Sequence, residues 1–177
     1  MFRYSICDPL KSEPIEMGEI EKGKILDILD RFPWTDLLDK MKGVKDSDIH
    51  FSPSVEFENK ANRHGLSISI VEDEKGNEFY IFFKRPKMVT KLFGLIKNMD
   101  DNFTSDRTGQ TSNDVRDAVT ALINDDLVTL EKRWGKKNQR TTTAIIHMLY
   151  RRFLTCVLLN FGSNVGRRCR YLHAYVL

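Results

Sequence analysis

Acidic residues are absent from the last quarter of this 177-residue chain. Glu131 is the final acid: residues 132–177 carry ten Lys or Arg and no Asp or Glu, whereas residues 1–131 carry 25 acids and 18 bases. If about half of a typical charged content of ~25% is acidic, a run of this length arises by chance on the order of once in several hundred. The net charge of +3 therefore combines an acidic body with a basic end.

Cysteine is scarce and widely spaced. Cys7, Cys156 and Cys169 give an odd count without the close spacing of a disulfide framework or a zinc knuckle, which favours a reducing compartment. The N-terminus MFRYSICDPL also lacks the long apolar segment of a signal peptide. We therefore expect a cytoplasmic protein.

Motifs for metals and cofactors are also missing. The four histidines show no HExxH spacing, the cysteines supply no CxxC, and TGQTS lacks the lysine and the glycine spacing of a phosphate-binding loop. The apolar run 144–161 is interrupted by Arg151 and Arg152, each of which costs about 2.5 to 3.5 kcal/mol at the centre of a membrane helix. We expect no metal, no cofactor and no transmembrane span.

The first half of the chain carries two helical patterns. In MGEIEKGKILDILDRF, apolar residues recur at helical spacing up to Pro33, which predicts a first helix. WTDLLDKMK places Leu37, Leu38 and Met41 on one face, and Gly43 follows as a C-terminal cap, which predicts a second helix. Two amphipathic helices require a surface on which to pack.

Alternating segments predict that surface. SVEFEN, LSISIVE and EFYIFFK alternate apolar and polar residues and are separated by turn residues, which is typical of a β-meander. One face is predicted to be apolar, and Glu56, Glu58, Ser67 and Ser69 are expected to face solvent. RPK is expected to end the third strand. Residues 88–96 fit either a helix or a strand, and the β-branched start slightly favours a fourth strand.

A long helix is predicted after the polar loop DDNFTSDRTGQTSND. Ser112 or Asn113 suits the N-cap, and an apolar stripe runs to Trp134, where Gly135 ends the helix. The predicted fold is therefore α+β: an antiparallel β-meander of three to four strands with two N-terminal helices and a long helix packed on one face. We assign residues 1–135 to a single domain.

Residues 136–177 form a basic, acid-free tail whose composition differs abruptly from that of the domain. Its apolar residues surround the helical axis instead of forming one face, so an amphipathic arm is disfavoured. The tail is predicted to be an appended segment or the product of a non-native reading frame, and a buried helix of the domain is the alternative.

The strongest catalytic candidate is Asp48 with Glu58 and Lys60. An acid followed by Glu-x-Lys near successive strands is typical of metal-dependent nucleases, in which carboxylates hold Mg²⁺ and lysine stabilises charge at the scissile phosphate. The same residues also suit a solvated strand end, because short motifs of common residues recur by accident. A nuclease is thus the enzymatic alternative.

A basic cluster provides a weak nucleic-acid candidate. Lys84, Arg85, Lys87 and Lys91 lie between phenylalanines at 82–83 and 93, which suits contacts to phosphates and bases, but they also suit the protection of a sheet edge. The acidic body disfavours a polyanion, whereas the acidic residues between 8 and 48 suit a basic protein partner. We therefore expect a non-enzymatic interaction or regulatory module that binds a protein partner or forms a homo-oligomer.

Overall fold

A computed structural model describes residues 1–73, 76–91 and 96–136. The predicted tail, 136–177, lies outside these residues except for Lys136. Six strands form one sheet in the described part: β1 (Phe2–Cys7), β2 (Ile15–Ile20), β3 (Ser54–Asn59), β4 (Gly65–Asp73), β5 (Gly76–Lys91) and β6 (Ile96–Gln110). Their order is β2-β1-β3-β4-β5-β6, and every neighbouring pair is antiparallel. The α+β class with an antiparallel sheet is confirmed, but the prediction of three to four strands was wrong.

Four α-helices accompany the sheet in the described residues: α1 (Ile25–Arg31), α2 (Trp34–Met41), α3 (Ser112–Ile123) and α4 (Leu127–Trp134). Two short 3₁₀ turns lie at Lys22–Lys24 and Asp46–Asp48. Buried side chains from all four helices and from the sheet join in one core, which includes the fully buried Trp134. None of the helices in these residues is long and apolar enough to cross a membrane.

The predicted meander is present as β3, β4 and β5. Val55 lies opposite Ile68, which lies opposite Ile81, and the next row on the same face joins Phe57, Leu66 and Phe83. These six side chains are buried in the core. The period-two pattern therefore identified the core face of the sheet correctly.

The other face of the meander differs from the prediction. Glu56, Glu58, Ser67 and Ser69 were expected to face solvent, yet all four are buried. Ser67 Oγ donates a hydrogen bond to Glu56 Oε1 at 3.0 Å, and Glu58 forms two ion pairs. Burial of Glu56, Glu58 and Ser67 is tolerated because charged and hydroxyl partners replace water, whereas Ser69 Oγ is buried without a hydrogen-bond partner among the described residues.

The predicted arrangement of two N-terminal helices was wrong. The chain begins with two strands, and the segment assigned to the first helix starts at Met17, inside β2 (Ile15–Ile20). β2 pairs with β1 through Phe2 and Ile20. Gly18 adopts φ +89° where the register shifts, a backbone conformation that glycine adopts without steric cost. The helical part of that segment is confined to α1, while α2 agrees with the predicted second helix.

Two further boundaries were wrong. β5 does not end at RPK: it continues through Pro86 to Lys91, and Pro86 lies where the register with β6 shifts, so the missing N–H falls at an interruption of the ladder. The described residues of the ambiguous segment 88–96 belong to strands, as favoured. The polar segment expected as a loop instead forms most of β6, because it pairs along nearly the whole of β5.

The long helix is divided in two. α3 begins with Thr111 as N-cap, whose side chain forms a reciprocal capping box with Asp114, one residue before the predicted cap. Asp125, at φ +55°, then interrupts the helix, and the side chain of Asp126 caps α4 by accepting from Thr129 N. Local Asp capping thus competes successfully with helix continuation.

Candidate functional site

The three residues of the nuclease hypothesis have separate partners. Asp48 is exposed in a 3₁₀ turn, where its Oδ1 accepts a hydrogen bond from Ser47 Oγ. Lys60 is exposed beyond the end of β3 and contacts Glu19 of β2. Glu58 is buried in β3. The structure therefore engages each side chain in a different set of contacts.

The surroundings of Glu58 are cationic. Its carboxylate lies 2.9 Å from Arg3 Nη2 and 3.1 Å from Lys84 Nζ. Burial lowers the pKa of Lys84 to about 8, although the charge and hydrogen bond of Glu58 act in the opposite direction. In the described part of the chain, no group of three His, Cys, Asp or Glu side chains is placed to hold a metal ion. The nuclease interpretation therefore stays a prediction.

The predicted nucleic-acid residues are divided between the two faces of β5. Lys84 and Arg85 are both buried, and because they are adjacent in a strand they point to opposite faces. Lys87 is half-buried and lies 3.6 Å from Glu131, while the side chain of Lys91 lies outside the described residues. β5 is paired on both sides only as far as Lys84, so the alternative role in protecting a sheet edge does not apply to Lys84, whereas Lys87 lies where β5 pairs with β6 alone.

Arg85 connects the sheet to the end of α4. Its Nε and Nη2 donate to the carboxylate of Glu131 at 2.5 and 2.9 Å, and Nη2 also donates to the Gly135 carbonyl at 2.9 Å. Its Nη1 donates to Ser105 Oγ, which in turn donates to the Trp134 carbonyl at 2.6 Å. These contacts satisfy carbonyls that the end of a helix leaves unpaired.

Two features of this network indicate a structural role. Burial acts to raise the pKa of Glu131, but the hydrogen bonds and charge of Arg85 outweigh it and hold that pKa below its ordinary value. The guanidinium also stacks on Phe83 and Phe103, with its Cζ 4.3 and 4.9 Å from the ring centroids. A guanidinium with this many internal contacts is poorly placed to bind a phosphate.

A histidine, His64, lies near Asp125 at the α3–α4 junction. It lies in the turn between β3 and β4, with its Nδ1 3.8 Å from Asp125 Oδ1, a distance longer than a hydrogen bond. Burial lowers the pKa of His64, while the charge of Asp125 acts to raise it. The histidine thus packs where this turn meets the α3–α4 junction.

An open groove of about 770 Å³ lies between the β1–β2 end of the sheet and helices α1 and α2. Its volume falls in the range of ligand and side-chain binding pockets. Eight of its lining residues are apolar or aromatic, and we call them the floor: Tyr4, Ile6, Met17, Ile20, Ile28, Phe32, Pro33 and Leu37. Sequence reasoning missed this feature because it did not identify β1, although FRYSIC alternates in the manner of a half-buried strand.

Charged residues of both signs surround the groove: Asp8, Glu19, Asp27, Lys24, Arg31 and Lys40. Lys40 pairs with Asp8 at 3.4 Å, and Glu19 pairs with Lys60. Mixed charge around an apolar floor is typical of a protein-binding surface, which has an apolar centre and a polar rim.

The groove is continuous with β2, the outermost strand at its end of the described sheet. Five of the six residues of β2 are exposed, and they include the apolar Ile15 (37%) and Met17 (45%). Four glutamates and no base occur in residues 13–21. One part of the acidic region 8–48 noted in the sequence, around β2, therefore lies at a strand edge beside a groove.

The comparisons with known proteins add no assignment. No protein-family model, curated protein or solved structure matches this chain.

Proposed function

We propose that this chain is a non-enzymatic cytoplasmic protein-interaction module that binds an extended basic segment of a partner protein along β2. The observation that carries the proposal is the acidic outer edge of β2 beside the groove. An edge strand presents unpaired N–H and C=O groups that a second chain can satisfy by adding a strand.

Charge indicates which strand this edge accepts. Glu13, Glu16 and Glu21 have no ion pair in the described part of the chain, whereas Glu19 contacts Lys60. Two copies of β2 placed edge to edge bring glutamates into proximity, and like charges on facing strands are destabilising. A basic segment is therefore favoured over a second copy at this edge.

The groove provides the apolar part of the interaction. A strand added to β2 directs alternate side chains toward the face that carries the groove, where Tyr4, Ile6 and Phe32 form part of the floor. Ile15 and Met17 add exposed apolar area at the edge itself. The fitting segment thus alternates basic residues with apolar residues that enter the groove.

Hydrogen exchange on the full chain tests this proposal. The probe is a blocked peptide of alternating lysine and valine, long enough to span β2, and its counterpart carries glutamate in place of lysine. We expect the lysine peptide to protect the amides of β2 and the glutamate peptide to leave them unchanged. Protection elsewhere without protection of β2 contradicts the proposal.

A matched pair of variants distinguishes binding of the peptide at the β2 edge from attraction to the net negative charge of residues 1–131. Glu16→Lys, on β2, is expected to weaken binding of the lysine peptide by roughly tenfold, because it places like charges across the new strand pair. Asp48→Lys makes the same change at an exposed position outside the sheet and is expected to have a smaller effect. Equal effects of the two substitutions indicate non-specific attraction and refute binding at this edge.

A further inference from the structure

The opposite end of the sheet carries a two-stranded arm. β4 pairs with β5 only as far as Lys84, whereas β5 and β6 continue to pair up to Lys91 and Ile96. Residues 85–91 and 96–103 therefore extend past the other strands, and we call them the arm. An isolated pair of strands is marginally stable in water, so it gains from further contacts.

Apolar side chains are exposed on the arm. Met88 and Met99 lie opposite each other in the register and are 54% and 51% exposed. All residues from Lys97 to Asn102 are exposed. β6 is also the outermost strand at this end of the described sheet, so its edge near Met99 is accessible to another strand.

The charges along this edge complement a second copy of the same edge. Lys97, Met99 and Asp101 occur at alternate positions of β6. When two antiparallel copies meet with Met99 on the two-fold axis, Lys97 of each copy lies opposite Asp101 of the other. Opposite charges at such positions stabilise a strand pair, and a two-fold axis repeats every contact.

An internal ion pair does not prevent this arrangement. Asp101 lies 3.4 Å from Arg63, but both side chains are about half exposed. Exposed pairs of this kind contribute little to stability, so the carboxylate of Asp101 remains open to a second cation. β2 does not complement a second copy of itself in this way, because every charged residue in the segment 13–21 is acidic.

We infer that two copies of this chain associate through β6 of the arm, in antiparallel register, with Met99 at the centre. This interface is independent of the binding proposed at β2. Its short length indicates a weak dimer, since stable interfaces bury roughly 1,200–2,000 Å².

Sedimentation velocity of the full chain over a range of concentrations tests the inference. We expect a reversible monomer–dimer equilibrium. Lys97→Glu and Asp101→Lys are each expected to weaken dimerisation by roughly tenfold, because each places two like-charged pairs across the axis. Lys45→Glu, an equal charge change at an exposed residue away from the arm, is expected to leave dimerisation unchanged.

A mixture of the two arm variants tests directly whether residue 97 of one copy faces residue 101 of the other. In a mixed dimer, the glutamate introduced by Lys97→Glu in one copy faces the lysine introduced by Asp101→Lys in the other, and the remaining Asp101 faces the remaining Lys97. The mixture is therefore expected to dimerise, although each variant alone does so weakly. Circular dichroism confirms that each variant is folded. A chain that stays monomeric at every concentration, or a mixture that dimerises no better than its components, overturns the inference.

Discussion

At the scale of single residues, Arg85 shows how one buried charge joins separate elements. The guanidinium is 2% exposed and contacts α4, the β6 side chain Ser105 and the β5 carbonyl of Phe83. Arginine suits this position because its planar group donates several hydrogen bonds in fixed directions. Its charge is balanced locally by Glu131, so it serves the fold and is unavailable to an external anion.

Replacement of Arg85 is therefore expected to destabilise the protein strongly. Arg85→Ala removes donors from the Trp134–Gly135 end of α4 and leaves a cavity between two aromatic rings, at an expected cost of about 3 kcal/mol in the free energy of unfolding. Arg116→Ala is the comparison, because the ion pair of Arg116 with Asp30 is about half exposed on both sides, and the loss of such an exposed pair is expected to destabilise the protein much less. Urea denaturation measures both values. Equal losses contradict the assignment of Arg85 as the anchor.

Lys84 provides a second prediction, in the alkaline range. Burial lowers its pKa from 10.5 to about 8, with smaller lowering contributions from Arg3 and Arg63 and an opposing one from Glu58. Between about pH 8 and 10.5 the unfolded chain binds more protons at this residue than the native chain. The contribution of Lys84 to stability therefore rises with pH across that window and is unfavourable below it.

The variant Lys84→Met is expected to lose this rise. Its free energy of unfolding, measured at about pH 7 and about pH 10, should increase less or decrease more between the two than that of the parent chain. Lys60→Met is the control, because Lys60 is exposed and lies outside the buried group around Glu58. If both variants show the same pH dependence as the parent chain, the pKa of Lys84 is not lowered in the native state.

At the scale of elements, the sequence predicts those segments whose apolar period is unambiguous. β3, β4, the first part of β5 and α2 follow from period two or from helical spacing. β2 does not, because Ile20 and the apolar residues of α1 accidentally continue one helical pattern across a strand, a turn and a helix. Pro14, Gly18 and Gly23 were the local signals against a continuous helix.

The sequence fails to predict β6 for a different reason. NMDDNFTSDRTGQ is rich in residues that are uncommon in strands, and its strand form depends on pairing with β5. Edge strands bury less surface than central ones, so their sequences need not alternate. Tertiary pairing overrides local preference here, and no single-sequence period reveals it.

The candidate site could also be predicted only in part from the sequence. The acidic character of residues 8–48 was visible in the sequence and suggested a basic partner, but its geometry was not. Only the pairing of β2 with β1 places Glu16 and Glu19 along an edge strand, and only the packing of α1 and α2 creates the groove. The acidic charge of the candidate site could thus be predicted from the sequence. The shape of the strand edge and of the groove could not, because it depends on how distant segments pair and pack.

At the scale of the whole molecule, the end of α4 defines the smallest chain that keeps the described core complete. Trp134 is fully buried, its Nε1 donates to Gln110 at 3.1 Å, and its carbonyl accepts from Ser105. Gly135 is buried too, and a Cβ atom there would lie 2.4 Å from the Glu131 carbonyl oxygen. The chain must therefore extend through Gly135, one residue before the predicted tail begins.

Two truncations test this boundary. A chain of residues 1–136 retains Trp134 and both carbonyl acceptors, so we expect cooperative thermal unfolding and a circular dichroism spectrum of mixed helix and strand. A chain of residues 1–133 lacks them, and loss of a buried tryptophan alone costs about 3–5 kcal/mol. Since a domain of this size is stable by only about 5–15 kcal/mol, the shorter chain is expected to be largely unfolded or to melt far earlier. If residues 1–136 fail to fold while the full chain folds, residues 137–177 contribute to the core and the predicted domain boundary is wrong.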